Sequence, residues 1–139
     1  MGGIIMTQED KMLLVKDLSS RLPYAVHVQH ISGVSGILHD ISIRHKYDGN
    51  DNIYDAICYT DFFGDGNSIT IEHFKPYLFP FSSMTKEQEN EYQYITERWM
   101  YDPSYSISDS TDWLNKNHFD YRGLIEKGLA IDATGLNIY

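Results

Sequence analysis

Residues 37–43 read Ile-Leu-His-Asp-Ile-Ser-Ile, and this alternation of apolar and polar side chains decides the fold class of the chain. Successive side chains of a strand point to opposite faces of its sheet, so a period of two is typical of a half-buried β-strand. Similar runs lie at about residues 24–31, at 53–60 and from residue 69 onward. Because short turn sequences separate them, including a hairpin signal at Asp65-Gly66, the first half predicts a four-stranded antiparallel meander.

Glycines and a proline shape this predicted sheet. Gly33 and Gly36 lie where the chain would bend, and such bends favour a curled, SH3-like barrel. A flat four-stranded sheet with helices on one face is the alternative. Pro76 is expected to end or bend the fourth strand, because proline cannot donate to the ladder. Residues 76–84 are then expected to cross the core as an extended apolar segment.

Helices are predicted on both sides of the sheet. Leucine and valine side chains recur at three- and four-residue spacing within residues 8–21, which predicts an amphipathic helix that Pro23 ends. The capping box Thr85-Lys-Glu-Gln88 starts a second helix over about residues 86–100.

The rest of the second half is predicted to be less regular. Residues 102–111 are polar and predict a mobile loop, and a short helix follows at about 110–117. Asp120 is expected to cap another short helix. The fold class is therefore α+β in a single domain, 1–139, with a helix and sheet at about 7–76 and a helical, aromatic half at about 77–139.

The charge of the chain restricts its partners. The formal net charge is −9 over 139 residues, and a surface this negative repels phosphate backbones, which argues against direct nucleic-acid binding. It is compatible with a basic protein partner or with mimicry of DNA. The only cysteine, Cys58, excludes an internal disulfide, and no apolar run approaches membrane-spanning length. We expect a cytoplasmic protein without a cofactor.

The six histidines invite a metal interpretation, but their spacing does not support one. No pair has the i, i+4 spacing of a helical zinc motif. His39 and His73 each fall on the apolar face of a predicted strand, so their imidazoles would meet if those strands were neighbours. The alternative is two separately hydrogen-bonded, half-buried histidines, and no metal site is predicted.

The densest polar cluster is at residues 117–122, which read Asn-His-Phe-Asp-Tyr-Arg. His118, Asp120, Tyr121 and Arg122 could supply an acid, a base and an anion clamp. The structural alternative is that Asp120 caps a helix, Phe119 fills the core and Arg122 pairs with an acidic side chain. No catalytic motif of known spacing accompanies the cluster.

The second half also has more aromatic residues than one core can hold. Exposed aromatic side chains beside acidic residues are typical of a protein-binding surface. We expect a partner or self-association surface among five of them: Tyr92, Tyr94, Trp99, Tyr101 and Tyr105.

Two stretches carry a resemblance to other proteins. Residues 75–85 read Lys-Pro-Tyr-Leu-Phe-Pro-Phe-Ser-Ser-Met-Thr, and residues 113–130 read Trp-Leu-Asn-Lys-Asn-His-Phe-Asp-Tyr-Arg-Gly-Leu-Ile-Glu-Lys-Gly-Leu-Ala. They resemble small uncharacterised proteins of gut Bacteroides genomes, often in prophage-like or mobile regions. The resemblance covers about residues 75–130. It implies a bacterial cytoplasm and a mobile-element context, and because that family has no assigned activity, no functional residue carries over.

Three functions remain from the sequence. The leading hypothesis is a non-enzymatic protein-interaction or regulatory module, supported by the acidic surface and the surplus of aromatic residues. The second is a small hydrolase that uses histidines with acidic residues. The third is an acidic DNA mimic that inhibits a nucleic-acid enzyme, which requires carboxylates arrayed along one face.

Overall fold

A computed structural model of the chain describes residues 6–48, 51–61 and 69–139. These residues contain three α-helices and six strands. In chain order these elements are α1 (Gln8–Arg21), β1 (His27–His30), β2 (Ser35–Asp48), β3 (Asp51–Thr60), β4 (Ile69–Thr70), β5 (Phe74–Leu78), α2 (Lys86–Arg98), α3 (Ile107–Lys116) and β6 (Ile131–Asp132). The chain is therefore an α+β protein with an N-terminal helix, as predicted. The hairpin turn predicted at Asp65-Gly66 lies outside the described residues.

The sheet is mixed and open in the described part of the chain. Its strand order is β4-β3-β2-β1-β5-β6, and all neighbours are antiparallel except β5 and β6, which are parallel. The edge strands β4 and β6 lie at opposite ends of this order. The prediction of four antiparallel strands curled into an SH3-like barrel is therefore not confirmed.

A β-bulge in β2 changes which side chains face the core. The pairing of β2 with β3 shifts between Leu38 and Asp40. An extra residue at a bulge reverses the alternation, so that the side chains after it point to the face opposite to the one expected from the residues before it. Leu38 is 1% exposed and Ile41 packs against the same core, whereas the side chain of His39 between them is exposed. The prediction that His39 lies on the apolar face is therefore wrong.

Pro76 lies inside a strand rather than at the end of one. It pairs with Val28 of β1, and the ladder from β5 to β6 begins only at Tyr77. A proline fits there because the strand has no partner on the β6 side at that position. Of the two predicted effects of Pro76, ending or bending the strand, the first is wrong. The predicted crossing segment 76–84 does cover the core, because its Tyr77 and Leu78 are buried.

The helices begin at side-chain caps that the sequence contains. Thr7 and Asp10 form a capping box at α1, and Thr85 and Gln88 form one at α2. A third box joins Ser106 and Asp109 at the start of α3. Because α3 begins at Ile107, the mobile loop predicted for 102–111 is half helical, and that prediction is wrong.

The apolar interior is divided into two parts. The main core lies between α1 and the sheet, where Leu14, Leu18 and Val28 are fully buried. A smaller core lies between α2, α3 and the end of β5, and its centre is Trp113 stacked on Phe119 at a ring distance of 5.6 Å.

A buried ion cluster connects these two parts. Arg21 donates from Nε and Nη2 to the carboxylate of Asp17 at 2.9 and 3.0 Å, and Arg122 donates from Nη1 to the same carboxylate at 2.8 Å. Arg21 Nη2 also donates to the carbonyl of Phe119 at 2.7 Å. Asp17 and Arg21 are fully buried. Helix α1 is therefore fixed to the segment that carries Phe119 into the smaller core.

We expect Asp17→Ala to lower the free energy of unfolding by about 3–5 kcal/mol, because two guanidinium groups would lose their buried anion. Urea unfolding followed by circular dichroism measures this loss. Glu9→Ala removes an exposed carboxylate from the same helix and should change stability by less than about 0.5 kcal/mol. Asp17→Leu combined with Arg21→Met should be less destabilising than Asp17→Ala alone. Equal midpoints for Asp17→Ala and Glu9→Ala would contradict the assignment.

Candidate functional site

The carboxylate and guanidinium groups of segment 117–122 have structural partners. Asp120 accepts hydrogen bonds from the backbone N–H groups of Leu124 and Ile125, both at 2.9 Å. Arg122 is bound to Asp17 in the buried ion cluster. Asp120 therefore acts as a cap, in agreement with the structural alternative, although the residues that it caps form a turn rather than a helix.

Both the hydroxyl group and the ring of Tyr121 have structural partners. Its hydroxyl donates to Asn115 Oδ1 at 2.9 Å. The guanidinium carbon of Arg122 lies 4.5 Å from the ring centroid and that of Arg21 lies 5.3 Å away, so the ring covers both charges of the ion cluster. Tyr121 thereby joins α3 to the cluster.

His118 is stacked on the tyrosine at position 139. The ring centroids are 3.6 Å apart with planes inclined by 10°. The hydroxyl of Tyr139 donates to the carbonyl of Tyr77 at 2.8 Å and accepts from the backbone N–H of His27 at 2.9 Å. Burial, with the positive charge of Arg21 and with His27 as smaller causes, lowers the pKa of His118 to about 4. Its imidazole is therefore neutral at physiological pH.

Two cavities of the described residues are lined by other side chains. One, of about 230 Å³, lies between the start of α2 and the chain after β6 and is lined by side chains such as Phe79, Gln88 and Phe119. The other, of about 340 Å³, lies beside the ends of β1 and β5. Neither is lined by His118, Asp120, Tyr121 or Arg122, so the cluster that suggested a hydrolase is not gathered around a cavity described here.

The larger cavity contains two of the histidines. His73 lies in a 3-10 turn between β4 and β5, not on a strand, and its partner is His30 rather than His39. The two ring centroids are 6.0 Å apart. Among the described residues no ring contact joins His39 to His73, so the alternative in which these two histidines lie apart agrees with the structure.

The His30 ring has a fixed tautomer. Its Nδ1 accepts from the backbone N–H of Ser32 at 3.1 Å and lies 2.8 Å from the Ser32 hydroxyl. A nitrogen that accepts from an amide carries no proton, so the neutral ring carries its proton on Nε2. Burial, and then the charge of His73, lower the pKa of His30 below its usual value. His30 is thus a turn cap whose other edge is a hydrogen-bond donor.

Helix α2 presents an exposed apolar surface at its C-terminal end. No residue of α2 is fully buried, and it contacts the smaller core through Tyr92 and Ile95. Tyr92 lies against Trp113, with ring centroids 5.5 Å apart. We call the exposed apolar side chains of this region the α2 aromatic surface; its members are Tyr94, Trp99, Met100, Tyr101 and Ile107.

Of the five residues predicted for a partner surface, three belong to this surface. Tyr94, Trp99 and Tyr101 are exposed, and Tyr101 reaches 81%. Tyr92 and Tyr105 are half-buried. Met100 and Ile107 were not expected there. Nothing in the sequence distinguishes them from core residues, because their exposure results from where α2 ends and α3 begins.

The turn that carries the surface is well organised by hydrogen bonds. The backbone N–H groups of Tyr101 and Asp102 both donate to the carbonyl of Arg98, at 3.0 and 2.8 Å. Asp102 Oδ1 accepts from the backbone N–H and the hydroxyl of Ser104, and these bonds lower the pKa of Asp102. Arg98 lies over the ring of Tyr94 at 4.7 Å. The aromatic side chains are therefore held on an ordered backbone.

Comparisons with known proteins add no further assignment. No family model, no curated protein and no solved structure matches the chain. None of the helices in the described ranges has the length and apolar character that a bilayer crossing demands. In the same ranges no three His, Cys, Asp or Glu side chains are grouped as metal ligands. The resemblance to Bacteroides proteins and the cytoplasmic location stay predictions.

We expect His118→Asn to reduce the dependence of stability on pH. Because the folded pKa of about 4 is below the ordinary 6.5, the unfolded chain binds the proton first, and stability is lost as pH falls between these two values. Asparagine adopts the positive φ of 63° at this position without strain and does not titrate in this range.

Urea midpoints at about pH 7 and about pH 5 measure this effect, since the slope of stability against pH follows the difference in bound protons. The carboxylates titrate in both proteins, so only the difference between the two slopes reports on His118. Equal slopes for the wild-type chain and His118→Asn would show that folding does not lower the pKa of this imidazole.

Proposed function

We propose that this chain is a protein-interaction module that binds a positively charged, amphipathic segment of another protein through the α2 aromatic surface. The observation that carries the proposal is the exposure of five apolar side chains along α2, the turn after it and the start of α3, namely Tyr94, Trp99, Met100, Tyr101 and Ile107. Tryptophan and tyrosine are the side chains most enriched at the centres of protein interfaces.

The order of the turn after α2 supports this proposal. Binding a flexible loop costs conformational entropy for every side chain that becomes ordered. Here the Arg98 carbonyl and the Asp102 carboxylate already fix the backbone around Trp99 and Tyr101. The backbone of this turn is therefore already ordered, so binding costs less conformational entropy than it would in a flexible loop.

Charge complementarity selects the class of partner. Residues 86–102 contain five acidic and two basic side chains, and the chain has a net charge of −9. A second copy would bring like charges together at this surface, which opposes self-association. A segment with lysine or arginine beside its apolar side chains would meet both the carboxylates and the aromatic rings.

The described carboxylates do not favour the DNA-mimic alternative. Such a protein needs carboxylates arrayed along one face at regular intervals. The aspartates at helix starts and turns instead accept from backbone N–H groups close to them in sequence; they are Asp10, Asp102, Asp109, Asp120 and Asp132. Their placement is explained by local capping.

The proposal is tested with a display library of random peptides selected against the full chain. We expect selected peptides to be rich in Lys or Arg and in apolar residues. Trp99→Ser or Tyr101→Ser should weaken their affinity by about tenfold or more, the usual effect of truncating a central aromatic residue. Both side chains are exposed, so the fold should survive the substitutions. Fluorescence anisotropy with one labelled peptide measures the change.

Two matched controls sharpen this experiment. Met12→Ser removes an exposed apolar side chain from α1 and should leave the peptide affinity unchanged. Glu97→Gln should weaken binding more than Glu9→Gln, because only Glu97 lies beside the α2 aromatic surface. Peptides without net positive charge would contradict the proposal. So would a dimer, detected by light scattering, that Tyr101→Ser dissociates.

A further inference from the structure

The cavity beside β1 and β5 has the features of a small-molecule site that is independent of the α2 aromatic surface. Its volume is about 340 Å³, at the lower end of the roughly 300–1,000 Å³ of typical ligand pockets. Apolar side chains form much of its wall, namely Met6, Ile31, Leu129 and Ile131. Ile31 is 71% exposed and therefore lies at the mouth.

Strand pairing places two polar side chains of the cavity side by side. Gln29 of β1 is paired with Lys75 of β5, and the backbone N–H of Ile31 donates to the carbonyl of His73 at 3.0 Å. Directly paired residues of an antiparallel ladder project to the same face of the sheet. His30 is paired with Phe74 and projects to the opposite face. Rigid strands therefore hold Gln29 and Lys75 on one face of the sheet.

The wall of the cavity includes one positive charge without an acidic partner. Glu72 is the acidic side chain of the wall, and it is paired with Lys11 at 3.3 Å. Lys75 has no salt-bridge partner among the described residues. A chain of net charge −9 thus offers an unpaired lysine at this cavity.

We propose that this cavity binds a small carboxylate whose apolar body fills the space between Ile31, Leu129 and Ile131. The carboxylate would be held by the ammonium group of Lys75. Inorganic phosphate is less suited to the site, because it has no apolar body to contact the apolar walls of the cavity.

Titration of the ¹⁵N-labelled full chain with sodium hexanoate tests the proposal by NMR. We expect saturable shifts of the amides of Gln29, Ile31, His73 and Leu129. Hexanamide has the same apolar body without the charge, and it should bind about fivefold more weakly because it cannot form the ion pair with Lys75. Inorganic phosphate at equal ionic strength should cause no saturable shifts at these residues.

Substitutions at exposed positions separate binding from folding. Lys75→Gln should weaken hexanoate by about fivefold, the value of one partly exposed ion pair, whereas Lys16→Gln on α1 removes the same charge away from the cavity and should have no effect. Ile31→Asp should abolish binding by repulsion at the mouth. Equal affinities for hexanoate and hexanamide, tighter binding of phosphate, or no saturable shifts with hexanoate would each overturn the proposal. None of these outcomes depends on the α2 aromatic surface.

Discussion

The arrangement of the whole chain depends on a single buried carboxylate. Asp17 accepts from two arginines that come from distant parts of the sequence, one on its own helix and one at position 122. A buried anion of this kind is tolerated only when cationic donors surround it. The requirement fixes α1 against the segment after α3, so Phe119 enters the smaller core and β6 can pair with β5. Both the cavity and the support of α2 are consequences of this placement.

Local signals in the sequence predicted the local structure well. The capping residues Thr7 and Thr85 and the leucine spacing of α1 each depend on neighbours within four residues, and the predicted starts of α1 and α2 are correct. Three of the five predicted surface aromatics are exposed for a similar reason, since one helix cannot bury side chains on all of its faces. These features require no knowledge of the tertiary structure.

Features that depend on distant pairing could not be predicted in this way. The bulge at His39 arises from the pairing of β2 with β3, and a one-residue shift reverses every side chain beyond it. The pairing of Arg122 with Asp17 spans 105 residues. Likewise His30 and His73 share a cavity because β1 lies beside β5, an order that short turns alone do not indicate. The alternation of polar and apolar residues indicates strands, but it does not give their neighbours.

The light attachment of α2 has a consequence for the cooperativity of folding. Native proteins open in units of different stability, and an element with few buried contacts opens at a lower free energy than the core. Helix α2 is held by Tyr92 and Ile95, whereas α1 has fully buried residues and an internal ion pair. We therefore regard α2 as a separate unit of local unfolding. A ligand that binds α2 only when the helix is folded and packed on the core would raise the free energy of this local opening. Binding of the ligand would then be seen as slower hydrogen exchange of the α2 amides.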